Sequence, residues 1–252
     1  MTNEDVKRIS NDILMKLGNN VEPGEVLPNQ IFRGVSAYDW ENQHPGACIR
    51  HKQVFNQFNA IPKYCFDCLK IAIRPRNVVE LIKLLFIFND IKLPNNNTRK
   101  CLVETRDNIA GTYLGMLYSR DMEEALRISE LIGIAVATEI SADVPVTIKR
   151  GCTEFGMAYP EYAKVIDGKT FMDYRDEWSE YEDKIDKDFV VDDQVRSLQT
   201  HNVSEYSVQD AKAMFLWLMY AATISDSSYL EISGGGELPV LTNVKRPQFV
   251  NV

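Results

Sequence analysis

The sequence predicts an α+β fold with a ferredoxin-like (βαββαβ) central sheet, preceded by a zinc-knuckle segment and followed by a mostly helical C-terminal region. One observation behind this prediction is the order strand, helix, hairpin, helix, strand between residues 69 and 149, which is that of the split βαβ unit. A second is the pattern C-x2-H-x13-C-x2-C over residues 48–68. A third is the apolar helical periodicity beyond residue 208.

Changes in pattern divide the 252-residue chain into three segments. Residues 1–60 hold an N-terminal helix, a loop rich in Pro and Gly, and the first half of the zinc pattern. Residues 61–152 hold the ferredoxin-like unit, and residues 153–252 hold a helical region that ends in an extended tail. A short strand or turn is expected over residues 31–36.

The predicted fold class follows from the elements expected between residues 69 and 149. Period-2 alternation marks the strands, 3.6-residue periodicity marks the helices, and Asn77 is the expected cap of the first helix. The expected elements are strand 69–74, helix 78–91, strand 99–106, strand 112–118, helix 121–132 and strand 144–149. The second and third strands are close enough in sequence to form a hairpin, and Pro145 favours an edge position for the last strand.

The C-terminal region is expected to contain a solvated acidic helix face over residues 172–187 and a buried helix over residues 208–224, which Ser207 caps. An acidic docking surface is the alternative for the first of these. The tail from Ser225 contains three consecutive glycines and two prolines, which predicts an extended or partly disordered chain.

The spacing of Cys48, His51, Cys65 and Cys68 predicts a structural zinc site. Two pairs of ligands, each three residues apart, can fill a tetrahedral shell from a helical turn and a knuckle. Cys65 and Cys68 cannot both face one ion from a regular strand, so the knuckle is expected to end where the strand at Leu69 begins.

The alternative is that these residues are free cysteines in a reducing compartment and one surface histidine. A redox function for Cys65 and Cys68 lacks the thioredoxin context, because no strand leads directly into a helix at this pair. The roles of Cys101 and Cys152 stay open at this point.

Composition narrows the class of protein. The net charge of −8 argues against nonspecific binding to nucleic acid or to anionic membranes. No apolar run reaches membrane-spanning length, and the N-terminus lacks the basic flank and apolar core of a secretory signal. Five cysteines, an odd number, argue against a disulfide framework, so we expect a cytoplasmic, soluble chain.

Strand alternation predicts a charged patch on the sheet face that the helices leave open. If Leu69, Ile71 and Ile73 face the helices, then Lys70 and Arg74 face the open side. Glu104, Arg106 and either Tyr113 or Tyr118 complete this predicted patch, which has the charge to bind a small anion, and Tyr113 is taken as the ligand-binding tyrosine. The alternative is a ladder of ion pairs between neighbouring strands.

The segment AGTYLGMLYS followed by RDMEEALRI resembles the third strand and second helix of the RNA-recognition motif. The resemblance covers about twenty residues and implies RNA binding on the sheet face. The basic residue before the glycine and the paired aromatic residues of that family are absent here.

Three functions follow from the sequence. The first is a zinc-stabilised binding or adaptor protein that takes a protein partner. The second is an enzyme that acts on a small anionic substrate at the open sheet face, with the charged residues of the patch and either Cys101 or Cys152 as its thiol. The third is an RNA-binding protein, which the charge disfavours. A pocket with a reactive thiol would favour the enzyme, and a flat charged face would favour the adaptor. The ligand and the oligomeric state are not encoded in any motif.

Overall fold

The computed structural model describes residues 3–15, 27–33, 45–106, 111–189 and 206–241. Most of the predicted Pro- and Gly-rich loop of the first segment lies outside these residues, as does the end of the C-terminal tail. The described chain mixes helices with a five-stranded antiparallel sheet, which confirms the mixed α and β class. No helix in these ranges is long and apolar enough to cross a membrane.

The sheet has the strand order β1-β3-β4-β2-β5. Its strands are β1 (Gln30–Arg33), β2 (Leu69–Ile73), β3 (Arg99–Val103), β4 (Tyr113–Ser119) and β5 (Val146–Arg150). The predicted hairpin of β3 and β4 is present, with Cys101 opposite Gly115. The last strand is at an edge, as Pro145 predicts, and β1 forms the other edge by pairing with β3.

The described helices are α1 (Asn3–Met15), α2 (Pro45–Phe58), α3 (Val78–Asp90), α4 (Met122–Glu139), α5 (Thr153–Ala158), α6 (Pro160–Ala163), α7 (Ser179–Asp186), α8 (Val208–Thr223) and α9 (Tyr229–Ser233). Asn77 caps α3 by accepting a hydrogen bond from the Glu80 N–H, as predicted. Ser207 and Asp210 form a capping box at α8. Helix α4 continues past its predicted end.

Three segments differ from their predicted form. The link after β5 contains helix α5, and a two-stranded hairpin of β6 (Val165–Ile166) and β7 (Lys169–Thr170) follows α6. The tail after Ser225 is not simply extended, because it forms α9 and places Asp226 against the core. The Asp226 carboxylate accepts hydrogen bonds from the Val78 N–H at 2.8 Å and from the Tyr113 hydroxyl at 2.6 Å.

One face of the sheet packs against the helices α3, α4 and α8. Leu69, Ile71 and Ile73 point into this core, as strand alternation predicts, and Trp217 of α8 is fully buried there. Burial of this apolar face is the main contribution to the stability of the fold. The opposite face carries Ala72, Leu102, Leu114 and Met116 in a small cluster of its own.

Residues 45–68 and 151–189, which we call the cover, lie against part of this second face. The cover has its own apolar core around Val54, Phe155 and Trp178. Within it a 3-10 turn, Lys63–Phe66, replaces the predicted knuckle, and the Tyr162 hydroxyl holds the turn by donating a hydrogen bond to the Cys65 carbonyl at 2.7 Å. The zinc-knuckle description is therefore not confirmed.

Carboxylates of the acidic segment, residues 172–187, hold the parts of the cover together. Arg50 of α2 donates hydrogen bonds to Glu182 at 2.8 Å and to Asp186 of α7. Glu182 also accepts from the Lys63 N–H at 2.8 Å and from the Tyr174 hydroxyl at 2.9 Å. These carboxylates therefore join α2, the 3-10 turn and α7, and they are not merely a solvated face. Arg50 holds the pKa of Asp186 below its usual value by hydrogen bonding.

We expect Arg50→Met to lower the free energy of unfolding by ~1.5–3 kcal/mol, because it removes charged hydrogen bonds and leaves Glu182 half-satisfied. The matched control is Arg8→Met, which removes an exposed arginine paired with Asp5 at 3.8 Å and should change stability by less than ~1 kcal/mol. Urea denaturation measures both. Equal effects of the two substitutions would show that Arg50 does not fasten the cover.

Candidate functional site

A cavity of about 260 Å³ lies between the second face of the sheet and the cover. Its floor is formed by side chains of β2, β3 and β4, and its walls by α2, the 3-10 turn and the start of α5. The apolar parts of the wall include Met116, Phe155 and the ring of Tyr118. A concave site with apolar walls and a few polar groups is the usual form of a small-molecule site.

Lys70 is the most unusual residue of this cavity. Its side chain is on β2, directly on the floor, and the residue is 7% exposed. Its ammonium contacts the Cys152 sulfur at 3.8 Å and lies 5.2 Å from the centre of the Tyr118 ring. Within the described chain, no carboxylate lies within 4.0 Å of it. A buried lysine without an anionic partner is rare, because the buried charge is costly.

A second lysine stands beside it. Lys149 of β5 is directly opposite Lys70 in the register of the sheet, and its ammonium donates a hydrogen bond to the Thr153 hydroxyl at 3.2 Å. Burial, followed by repulsion from Lys70 and Arg74, lowers the pKa of Lys149 to about 8. Like charges directly opposite each other in a sheet are destabilising, so this pair raises the local positive potential at a cost in stability.

Burial penalises the charge on Lys70, whereas negative charge on Tyr118 and on the neighbouring cysteines raises the pKa of this lysine. Phenols and thiols are ordinarily neutral at pH 7, so they do not compensate the buried ammonium there. Lys52 and Lys100 add two further cationic side chains to the cavity. The cavity is therefore basic although the chain as a whole has a net charge of −8. Such a concentration of one sign of charge in a cleft attracts small ions of the opposite sign.

Arg106 lines the cavity at its rim, and Glu104 orients it. Its guanidinium binds Glu104 through two parallel hydrogen bonds of 2.9 and 2.8 Å, and it binds Glu154 at 2.6 Å. Glu104 is buried, whereas the side chain of Arg106 is 47% exposed. Hydrogen bonding to Glu104 raises the pKa of Arg106. Because two carboxylates already neutralise Arg106, Lys70 is the stronger candidate to bind an anion.

The other predicted ligand-binding residues divide between the two faces of the sheet. Arg74 follows β2 on the cavity side, but it is exposed and does not line the cavity. Tyr113 lies on the opposite, helix-covered face, where its hydroxyl binds Asp226. The choice of Tyr113 over Tyr118 therefore needs correction, since Tyr118 is the tyrosine that lines the cavity.

The four predicted zinc ligands, Cys48, His51, Cys65 and Cys68, all line this same cavity. The structure thus brings together the two sets of residues that the sequence predicts separately. However, the described residues contain no group of three or more His, Cys, Asp or Glu side chains arranged to hold a metal ion. The zinc prediction is not supported by this arrangement.

The thiols of the chain have different surroundings. None of the five cysteines, all of which are in the described ranges, forms a disulfide bond, and Cys48 is exposed whereas Cys65 is buried. Burial raises the pKa of Cys65 and of Cys101, and Cys101 lies in the helix-side core, away from the cavity. Cys152 is partly buried, lines the cavity and contacts Lys70.

The sequence named Cys152 and Cys101 as alternative thiols for an enzyme and did not single out Lys149, which is beside the cavity. Lys149 could have been found, because the predicted strand order pairs β2 with β5 and puts Lys149 on the face of Lys70. The choice of Cys152 over Cys101 could not be made from the sequence, since the position of Cys152 depends on the turn at Gly151. A Cβ at Gly151, which has φ +61°, would meet the Tyr162 hydroxyl at 1.8 Å.

Comparison with protein-family models, with curated proteins and with solved structures finds no match for this chain. The function must therefore be argued from the cavity itself.

His51 gives the site a dependence of stability on pH. Burial, and secondly the Arg50 charge, lower the pKa of His51 to about 4 from 6.5. The unfolded chain therefore binds a proton first as the pH falls, and stability is lost between about pH 6.5 and pH 4. From about pH 7.5 to about pH 4.5, wild type should lose ~2–3 kcal/mol more than His51→Gln.

Urea denaturation at these two pH values measures this loss. The difference between the two proteins isolates His51, because the carboxylates titrate alike in both. Equal losses would mean that His51 is charged or exposed in the folded state.

Proposed function

We propose that this protein binds a small anionic ligand in the cavity between the sheet and the cover, with Lys70 as its main charge partner. The observation that carries the proposal is the burial of the Lys70 ammonium without a carboxylate partner in the described residues. An ammonium has three donors, and the thiol of Cys152 is a weak acceptor for one of them. An anion in the cavity would satisfy the remaining donors.

Energetic arguments support an anion over a purely structural role. A buried, uncompensated charge lowers stability, and replacing it with an apolar residue of similar size often raises stability. The repulsion between Lys70 and Lys149 adds to that cost. Such locally unfavourable arrangements are retained at functional sites, where a bound ligand compensates them.

The cavity also supports a class of ligand. Its volume of about 260 Å³ is just below the range of roughly 300–1,000 Å³ that is usual for drug-sized ligands. A small metabolite with a carboxylate or phosphate group fits this volume. Phe155, Met116 and the Tyr118 ring would contact its apolar part, and Lys70, Lys52 and Lys100 would surround its charge.

This proposal moves the small anionic ligand ahead of the adaptor function. The cover makes part of the charged sheet face concave, and a concave basic site suits a small molecule better than a flat protein surface. Whether the ligand is also a substrate depends on whether a thiol of the cavity reacts with it.

The order of β2 to β5 in the sheet supports a ferredoxin-like description of these four strands. RNA binding stays a prediction.

Lys70→Met should weaken the binding of sulfate, a tetrahedral oxyanion probe, by ~10-fold or more, because it removes a charged hydrogen bond. The same substitution should leave the melting temperature of the ligand-free protein unchanged or higher, because it removes an uncompensated buried charge. Calorimetric titration with sulfate, and separately with acetate, distinguishes a preference for a phosphate-like group from one for a carboxylate.

The matched control is Lys169→Met, which removes an exposed lysine of β7 outside the cavity and should leave sulfate binding unchanged. A collapse of the Lys70→Met fold would show that Lys70 is structural. Sulfate binding of equal strength in wild type and Lys70→Met would place the anion elsewhere.

A zinc-stabilised binding protein is the second candidate function. It is favoured by one observation, namely that Cys48, His51, Cys65 and Cys68 line a single cavity. Thiolates bound to zinc carry negative charge, so they would also compensate Lys70. The observation against this candidate is that the described side chains include no group of three or more His, Cys, Asp or Glu residues that could hold a metal ion.

Elemental analysis of protein purified without added metal tests this candidate. If zinc is structural, about one zinc per chain should be present, and a chelator should lower the melting temperature. Cys68→Ser should then lose the metal, whereas Cys101→Ser should keep it. A metal-free folded protein with reactive thiols at all four positions would eliminate the zinc site and leave the small anion as the partner of Lys70.

A further inference from the structure

We propose that Cys152 is the reactive thiol of the cavity, and that it forms a covalent bond to an electrophilic carbon on a small anion held by Lys70. This inference rests on the proposed function and adds a chemical class of ligand to it. It is carried by the placement of a half-buried thiol 3.8 Å from a buried ammonium that has no carboxylate partner in the described ranges.

The chain is built to deliver Cys152 to this position. Strand β5 ends at Arg150, and the left-handed conformation of Gly151 turns the chain over the sheet face. The Gly151 N–H donates a hydrogen bond to the Cys68 carbonyl at 2.7 Å, which fixes the turn to the end of the 3-10 segment. The thiol therefore stands on a constrained backbone, which is what a reacting group needs for a defined geometry.

The charges of the cavity match such a reaction. A sulfur that attacks carbon carries negative charge, and the anion carries a second one. Lys70 and Lys149 supply two positive charges side by side, and no carboxylate of the described chain is in salt-bridge contact with either. The Lys70 ammonium has three donors and can contact both the sulfur and the anion, while Lys149, which is next to the cavity without lining it, adds to the positive potential.

The other thiols are less suited to this role. Cys65 is buried in the apolar core of the cover, and Cys101 lies in the opposite core. Cys48, which is exposed, and Cys68 both line the cavity, but the hydrogen bond of Lys70 goes to Cys152.

The reaction step is a substitution at carbon. The thiol proton passes to solvent, the sulfur electron pair forms an S–C bond, and the leaving group departs with the electrons of its bond to carbon. With iodoacetate as the probe, the leaving group is iodide and the product is a carboxymethyl thioether at Cys152. Lys70 stays protonated throughout and holds the carboxylate of the reagent.

The test compares iodoacetate with iodoacetamide, which has the same reacting carbon but no charge, on the intact folded protein. Peptide mass spectrometry gives the rate at each cysteine. We expect the ratio of iodoacetate to iodoacetamide rates to be ~10-fold or more higher at Cys152 than for a free reference thiol, 2-mercaptoethanol, because the basic cavity concentrates anions. Sulfate should slow the reaction of Cys152 and leave that of the reference thiol unchanged.

Two variants keep the test decisive. Lys70→Met should reduce the rate ratio at Cys152 to that of the reference thiol, and Lys149→Met should reduce it partly, which serves if the first variant does not fold. Equal ratios at Cys152 and the reference thiol in wild type, or anion-selective alkylation at Cys48 or Cys68 instead, would overturn the inference.

Sulfate calorimetry on the same preparations separates the two proposals. Sulfate binding that depends on Lys70, together with an ordinary Cys152, would reject the reactive thiol and keep the anion site. If sulfate binding does not depend on Lys70 and Cys152 shows no preference for iodoacetate, both the anion site and the reactive thiol are rejected.

Discussion

The buried ammonium of Lys70 is the constraint on which the candidate site depends. Strand β2 is an interior strand that pairs with β4 and β5, so Lys70 cannot turn to solvent without disturbing its neighbours on both sides. The cover then closes over it, and the contacts that the described residues offer are a thiol and an aromatic ring. The fold therefore holds a buried positive charge that has no carboxylate partner among the described residues, and the proposed anion would compensate it.

The two faces of the sheet have different tasks. The helix side carries the large apolar core and is completed by α8 and by Asp226, so it accounts for most of the stability. The other side carries a smaller cluster and a separate cover fastened by Arg50 and Glu182. This division lets the protein tolerate an unfavourable pair of lysines on one face, because the stability comes from the other.

The sequence predicted what depends on local pattern. Alternation along β2 separated Lys70 from Leu69 and Ile71, and the caps at Asn77 and Ser207 marked real helix starts. Tyr113 and Tyr118 are an odd number of residues apart, so they face opposite sides of the sheet. Which of the two faces the cavity depends on the register of β4 with its neighbouring strands, and the sequence pattern does not determine that register. The pairing of Arg50 with Glu182 joins residues far apart in sequence, and no local pattern encodes it.

A crystal structure grown with selenate, a tetrahedral oxyanion with an anomalous signal, tests the central claim most directly. The account predicts an anomalous peak inside the cavity at about 3 Å from the Lys70 nitrogen, the distance of a charged hydrogen bond. A cavity without selenate, with the Lys70 ammonium paired to a carboxylate of the chain or to a zinc–thiolate centre, would contradict it.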